Sequence, residues 1–335
     1  MIIGLIVFGF ICSIVLTDLM RRYSLKYDVL DIPVARSSHE MPTPRGGGMA
    51  IYATVVLLLI SAGWLNLLDW SLILTIAIPG SLVAFIGFWD DHNPVSSSHR
   101  LAVHSLAAIL ALWLLPEIPG LPIANYIIGN QIVLLPLYAI GLVWLLNLYN
   151  FMDGIDGIAG AEATSTLLAA AAILYFNQDT DWMPLLFWVA AAIGGFLVWN
   201  WAPAKIFMGD GGSGFLGFTL GILALVTSAS SILNIWTWLI LLAVFISDAT
   251  WTLIVRFATG QDWHQAHRSH SYQILARKQN SHSTVSLGVI AINLFWLAPI
   301  AGLATAKPEN GWLFALIAYL PLILVCKICG AGKYQ

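Results

Sequence analysis

Charge is what this sequence has least of. Its 335 residues include 14 Lys and Arg and 17 Asp and Glu, so charged residues make up 9%. A soluble globular chain carries about 25%, which argues against one here. Disorder is excluded by the 59% of hydrophobic residues. So few cations cannot build a nucleic-acid footprint, and the net charge of −3 adds nothing to one. Cysteine is scarce: Cys12, Cys326 and Cys329 make no disulfide framework. The last two form a CxxC at the end of an apolar segment. One such pair makes no zinc site and reads as structural. Sequence repeats and low-complexity tracts are also lacking.

What the chain does have is apolar length. A spanning helix needs about 20 mostly apolar residues. Eleven stretches approach that, at 1–20, 48–66, 70–89, 101–116, 132–150, 158–176, 183–201, 213–231, 234–256, 284–304 and 311–329. The first has no basic region before it, since Arg21 and Arg22 follow the apolar run, so it reads as an anchor rather than a signal peptide. Alternating the spans from an outside N-terminus leaves only Lys307 of the 14 Lys and Arg outside. That asymmetry obeys the positive-inside rule. The expected fold is therefore an all-α polytopic integral membrane protein of about eleven transmembrane helices. Its N-terminus lies outside, its C-terminus is cytoplasmic, and 1–335 form one domain. Outer loops are short. Two β-prone runs joined by Gly129-Asn130 suggest a periplasmic β-hairpin near 121–134.

Chemistry collects in the inner loops 21–47, 90–100, 150–157, 202–212 and 257–283. The first carries Arg36, His39 and Arg45 before a triple glycine. Asp90 and Asp91 are adjacent carboxylates at a helix end, either a solvated terminus or a site for a hard cation. The third loop holds Asn147, Asn150, Asp153 and Asp156, with Gly154, Gly157 and Gly160 expected to let a ligand approach the backbone. Asn150 and Asp153 are one helical turn apart and can face one ligand. In the fourth loop Gly209, Gly211 and Gly214 satisfy GxGxxG. Apolar helices flank them and no acid follows at the required distance, so this is no dinucleotide fingerprint. Asp210 remains, in a glycine loop at a helix N-terminus suited to an anion and its metal. The last loop repeats His264, His267 and His270 beside Arg268, a zinc pattern, a basic-aromatic interfacial stretch or a phosphate clamp. Acids, His, Arg and glycines on one face describe an active site at a membrane surface. They fit a magnesium-dependent reaction on a phosphorylated substrate. Asp248, inside a span, has no nameable partner.

Together the motifs DxPxxRSSHxxPTPRGGG, Asp90-Asp91, NxxNFMDGIDGIAG, GDGGSGFLG and HRSHSYQ resemble the polyprenyl-phosphate N-acetylhexosamine-1-phosphate transferases. The resemblance covers nearly the whole chain in order. Its RGGG and HRSH elements look most like the branch that initiates O-antigen. The phospho-MurNAc-pentapeptide transferases of peptidoglycan synthesis come second, and a polytopic transporter is the remote alternative.

The resemblance implies transfer of an N-acetylated hexosamine 1-phosphate from a UDP-sugar to undecaprenyl phosphate, with release of UMP, at the bacterial inner membrane. It implies Mg²⁺, or Mn²⁺ in its place, on Asp210 with Asn150 as a second ligand. Asp156 would hydrogen-bond uracil and Phe207 would stack on it. Asp90, with Asp91 beside it, would act on the lipid phosphate as base or positioning group. Asp153 would support substrate or metal. His270, Arg268 and His267 would bind the diphosphate, and Arg45 would touch the lipid phosphate. Partners would be the UDP-N-acetylhexosamine, undecaprenyl phosphate and the bilayer, with no nucleic acid.

Overall fold

The computed structural model describes residues 1–33, 41–262 and 267–333. Arg36, His39 and His264 lie outside the described residues. Each of the eleven apolar stretches is helical. α1 (Ile2–Lys26) is followed by a short hairpin of β1 (Leu30–Asp31) and β2 (Thr43–Pro44). Then come α2 (Gly48–Trp64), α3 (Trp70–His92) and α4 (Ser97–Leu114). A second hairpin, β3 (Leu121–Ile123) and β4 (Tyr126–Ile128), leads into α5 (Gln131–Met152). Next are α6 (Ile158–Phe176), α7 (Met183–Asn200) and α8 (Asp210–Ser230). The chain ends with α9 (Ile235–Leu241), α10 (Ala243–Ala258), α11 (Ser271–Gln279), α12 (His282–Ile292), α13 (Ala298–Ala306) and α14 (Gly311–Cys329). A π-helical turn, Asn293–Leu297, joins α12 to α13.

This is an all-α multi-pass membrane architecture. Among the described residues, 8 helices are long and apolar enough to cross a bilayer, or up to 9 if α9 and α10, bent by 74°, count as one span. The two remaining stretches are α2, short at 17 residues, and α4, whose first turns carry Ser97, Ser98, His99, Arg100 and His104. Those polar side chains keep the start of α4 out of hydrocarbon and near the site described below. The second hairpin stands where expected but turns elsewhere. Ile123 pairs with Tyr126, so Ala124 and Asn125 make the turn, with Ala124 at φ 51°. Asn130 is spent differently: its side chain accepts from the Ile132 N–H and caps α5.

α8 is the central helix, packed on α3 and α5. Over its apolar 18-residue stretch 89% is buried inside the protein, against 17% for that of α1, which faces outward beside α7. Close approach to α8 depends on glycine. A Cβ at Gly48 would collide with the Gly212 backbone, and one at Gly87 with that of Gly211. These contacts draw the ends of α2, α3 and α8 together, and so the loops that carry Arg45, Asp91 and Asp210.

Candidate active site

Where those ends meet, acids and arginines alternate. Asp210 is the first residue of α8, after Gly209 at φ 78°, and its N–H donates to Asp91 Oδ1 at 3.0 Å. Arg45 Nε lies 2.7 Å from Asp91 Oδ1, and its Nη2 bonds Asp210 Oδ1. Arg100 Nη1 lies 2.5 Å from Asp90 Oδ2 and 3.1 Å from Asp210 Oδ2. Asp90 Oδ1 accepts the Val95 N–H at 2.6 Å. The order is Asp90, Arg100, Asp210, Arg45, Asp91, with Asp210 at the centre. Burial works against the charge on Arg45, but Asp210 and Asp91 outweigh it and hold its pKa above the usual guanidinium value. The Asp91 side chain is fully buried and its Oδ2 has no hydrogen-bond partner. A buried carboxylate oxygen in that state awaits a donor or a cation.

Two further candidates stand beside this chain. Asn150 Nδ2 donates to Ser213 Oγ at 3.1 Å, and Asn150 lines the same cavity as Asp210. Asp153, at the end of α5, feels Arg45, Asp210 and Asp91. Burial pushes its carboxyl up to about 7, and the neighbouring acids add to the rise against the pull of Arg45.

Does this donor set suit Mg²⁺? Among the described residues no three His, Cys, Asp or Glu form a metal cage. Mg²⁺ seldom uses one: it takes one or two carboxylates and completes its shell with substrate phosphates and water. Asp210, Asn150 and the unpaired Asp91 oxygen are the hard oxygen donors that this requires, so the residues fit.

Asp156 stands apart from that chain. Its Oδ2 accepts the Ala204 N–H at 3.0 Å and lies 3.4 Å from His282 Nδ1. It lines a second cavity, of about 410 Å³, between Ala202-Pro203 and the α11–α12 turn with Arg277, Asn280 and His282. Phe207 anchors the fourth loop to the first: its N–H donates to the Pro44 carbonyl and its carbonyl accepts from Gly47. Gly157 sits at φ 76°, a conformation that favours glycine, and the other two glycines of the third loop meet protein where a ligand was expected. A Cβ at Gly154 would collide with the Tyr272 hydroxyl and one at Gly160 with Leu197. Tight helix packing, which composition alone does not distinguish from ligand approach, explains them.

Asp248 now has its partners. It accepts the N–H groups of Ser271 and Tyr272, each at 2.9 Å, and so caps α11 from within α10. His270 is 2% exposed, with Nδ1 3.4 Å from Asp248 Oδ1. The His267 ring lies 4.8 Å from the His270 ring, and Ser269 Oγ meets its Nδ1 at 3.0 Å. Burial first, then His270 and Arg256, pushes His267 down to about 3, so this ring is neutral at physiological pH. The Arg268 carbonyl accepts from Arg277. This loop is thus folded onto Asp248.

Sequence reasoning missed Arg100, which joins two of its acids, and His282, which abuts Asp156. Neither has a spacing signal, because each reaches its carboxylate across a loop or from another helix.

A larger cavity, of about 610 Å³, begins at Arg100, Asp210 and Asn150 and continues between α4 and α5 past Ala108, Ile109, Ile140, Val143 and Trp144. One end is charged and the rest is an apolar groove.

Comparison with known proteins bears on this geometry. The glycosyl transferase family 4 model matches residues 70–228, which include Asp90, Asp91, Arg100, Asn150, Asp156 and Asp210. The probable undecaprenyl-phosphate N-acetylglucosaminyl 1-phosphate transferase of Bacillus subtilis is 27% identical over 328 residues, 96% of this chain and 90% of that protein. The undecaprenyl-phosphate alpha-N-acetylglucosaminyl 1-phosphate transferase of Salmonella typhi is 28% identical over 286 residues, 80% of this chain and 74% of its own. The phospho-N-acetylmuramoyl-pentapeptide-transferase of Lactiplantibacillus plantarum is 31% identical over 201 residues, 55% of this chain and 61% of its own.

Proposed function

The chain belongs to glycosyl transferase family 4, and on that premise we propose that it transfers an N-acetylated hexosamine 1-phosphate from a UDP-sugar to undecaprenyl phosphate, releasing UMP. The groove carries this reading. Its apolar length suits a polyprenyl chain, and its end at Arg100 and Asp210 suits a phosphate. A panel of UDP-sugars with undecaprenyl phosphate tests it. N-acetylated hexoses should label the lipid, and the first sugar to do so names the substrate. A panel in which none does removes the reading.

In the reaction a phosphate oxygen of the acceptor attacks the β-phosphorus of the UDP-sugar. The bond from that phosphorus to the oxygen of UMP breaks, and UMP leaves with the electron pair. A phosphate monoester has a second pKa of about 6, so the nucleophile is largely ionised at neutral pH. Asp90, tied to Arg100 at 2.5 Å, then serves to fix that guanidinium near the arriving phosphate. Asp210 with Asn150 would hold Mg²⁺, which when bound neutralises charge on the diphosphate. Asp156 would accept the uracil N–H in its own cavity with Phe207 as the stacking face, and Asp153 would support the donor. His267, Arg268 and His270 would line the diphosphate's approach, with the Arg268 guanidinium as a fixed cation.

We place the protein in the bacterial inner membrane, crossing it eleven times, with this site on the cytoplasmic face and O-antigen or a related surface polysaccharide as the end product. The pentapeptide transferase relative keeps the peptidoglycan reaction as a second reading. Orientation has a direct test in a chain whose three cysteines are replaced by Ser. New Cys at the exposed Tyr126 and Thr180 should react with an impermeant reagent on intact cells, and Cys at the exposed Ser98 and Lys278 should not. Labelling of Ser98→Cys from outside would overturn the cytoplasmic assignment.

A further inference from the structure

The charged end of the groove holds one side chain that the chemistry above leaves unused. His104 stands one helical turn after Arg100 on α4, and both line the cavity. It is buried, at 9% exposure, and its Nδ1 has no hydrogen-bond partner. Buried polar atoms in folded chains are nearly always paired, so an unpaired one on an imidazole that lines a cavity points to a ligand. Three of the polar side chains that line the cavity with it are already engaged. Arg100 is shared by Asp90 and Asp210. Asn147 Nδ2 donates to the Val143 carbonyl at 2.7 Å, and Asn150 Nδ2 to Ser213 Oγ at 3.1 Å. An anion arriving beside Arg100 therefore meets a guanidinium whose charge two carboxylates already match. It needs a further donor that is buried, close by and unspent.

Resting on the transferase reading, we propose that His104 binds the phosphate of the lipid acceptor, donating an imidazole N–H to one of its oxygens beside Arg100. The position suits a lipid headgroup. Ala108 and Ile109, one turn further along α4, continue the wall as apolar surface on which the prenyl chain would lie.

His104→Leu removes the donor and keeps comparable bulk, while His104→Gln keeps an N–H. In the purified enzyme His104→Leu should raise KM for undecaprenyl phosphate by roughly tenfold or more, the usual effect of losing a hydrogen bond to a charged group. KM for the UDP-sugar and calorimetric affinity for UMP should stay at wild-type values. His104→Gln should recover most of the loss. Binding is also readable without turnover, because undecaprenyl phosphate should raise Tm of the wild type and of His104→Gln but hardly that of His104→Leu. A Leu variant that keeps both the lipid KM and the Tm rise overturns this assignment alone. So does equal weakening toward both substrates, which a merely structural role would give. A wild type that forms no lipid-linked product overturns the transferase reading, and the assignment falls with it.

Discussion

Asp210→Asn should lower kcat by about two to three orders of magnitude, the usual loss when a preorganised charge is removed from an active site. Asp210 is the centre of the alternating chain. Its two oxygens meet Arg45 and Arg100, and its backbone N–H meets Asp91. Asn keeps the shape but loses the charge, so one substitution unbalances both arginines and removes the proposed metal ligand. Raising Mg²⁺ should restore little, because a carboxamide oxygen is a poor substitute for a carboxylate toward a hard cation. Steady-state kinetics across a Mg²⁺ series, with Tm as the check on folding, measures this. Wild-type turnover with wild-type metal dependence would remove Asp210 from the centre of the site.

The second large effect separates two acids that look alike in sequence. Asp156→Ala should weaken binding of UMP and of the UDP-sugar by roughly tenfold or more. Asp90→Ala should leave UMP affinity near wild type and lower kcat strongly, as when an interaction made mainly in the transition state is lost. The structure gives them separate surroundings. Asp156 lines the cavity beside His282 and Ala202-Pro203, whereas Asp90 holds Arg100 at the groove end. A charge-assisted hydrogen bond from uracil to Asp156 would be worth about 1.5–3 kcal/mol. Calorimetric titration of both variants with UMP, beside their kinetics, decides the matter. Equal loss of UMP affinity would show that the division of labour is wrong.

Much of the fold was legible because the property that defines it, twenty apolar residues in a row, is local. All eleven stretches became helices, including the one that breaks between α9 and α10. Turn chemistry was less legible. Gly129-Asn130 is a good hairpin pair in isolation, but Asn130 is also a good N-cap, and the helix took it. Glycine was ambiguous for a similar reason. Gly48, Gly87, Gly211 and Gly212 serve the approach of α2 and α3 to α8, and no sequence pattern separates that use from contact with a ligand. Every acid of the alternating chain was named as a candidate from sequence, and Arg45 with them. Arg100 was not, because it joins Asp90 and Asp210 only after α3, α4 and α8 have packed. Asp248 was visible as an intramembrane acid, but its partners are the backbone N–H groups of α11, which carry no sequence signature.

The charged end of the groove is proposed to join a sugar phosphate to a lipid phosphate. Purified protein incubated with Mg²⁺, undecaprenyl phosphate and a UDP-N-acetylhexosamine labelled with ³²P in its β-phosphate tests it most directly. Label should move into the lipid phase, and one UMP should appear for each label transferred. UMP release with all label left in water, or no UMP release with any N-acetylated donor, would contradict it.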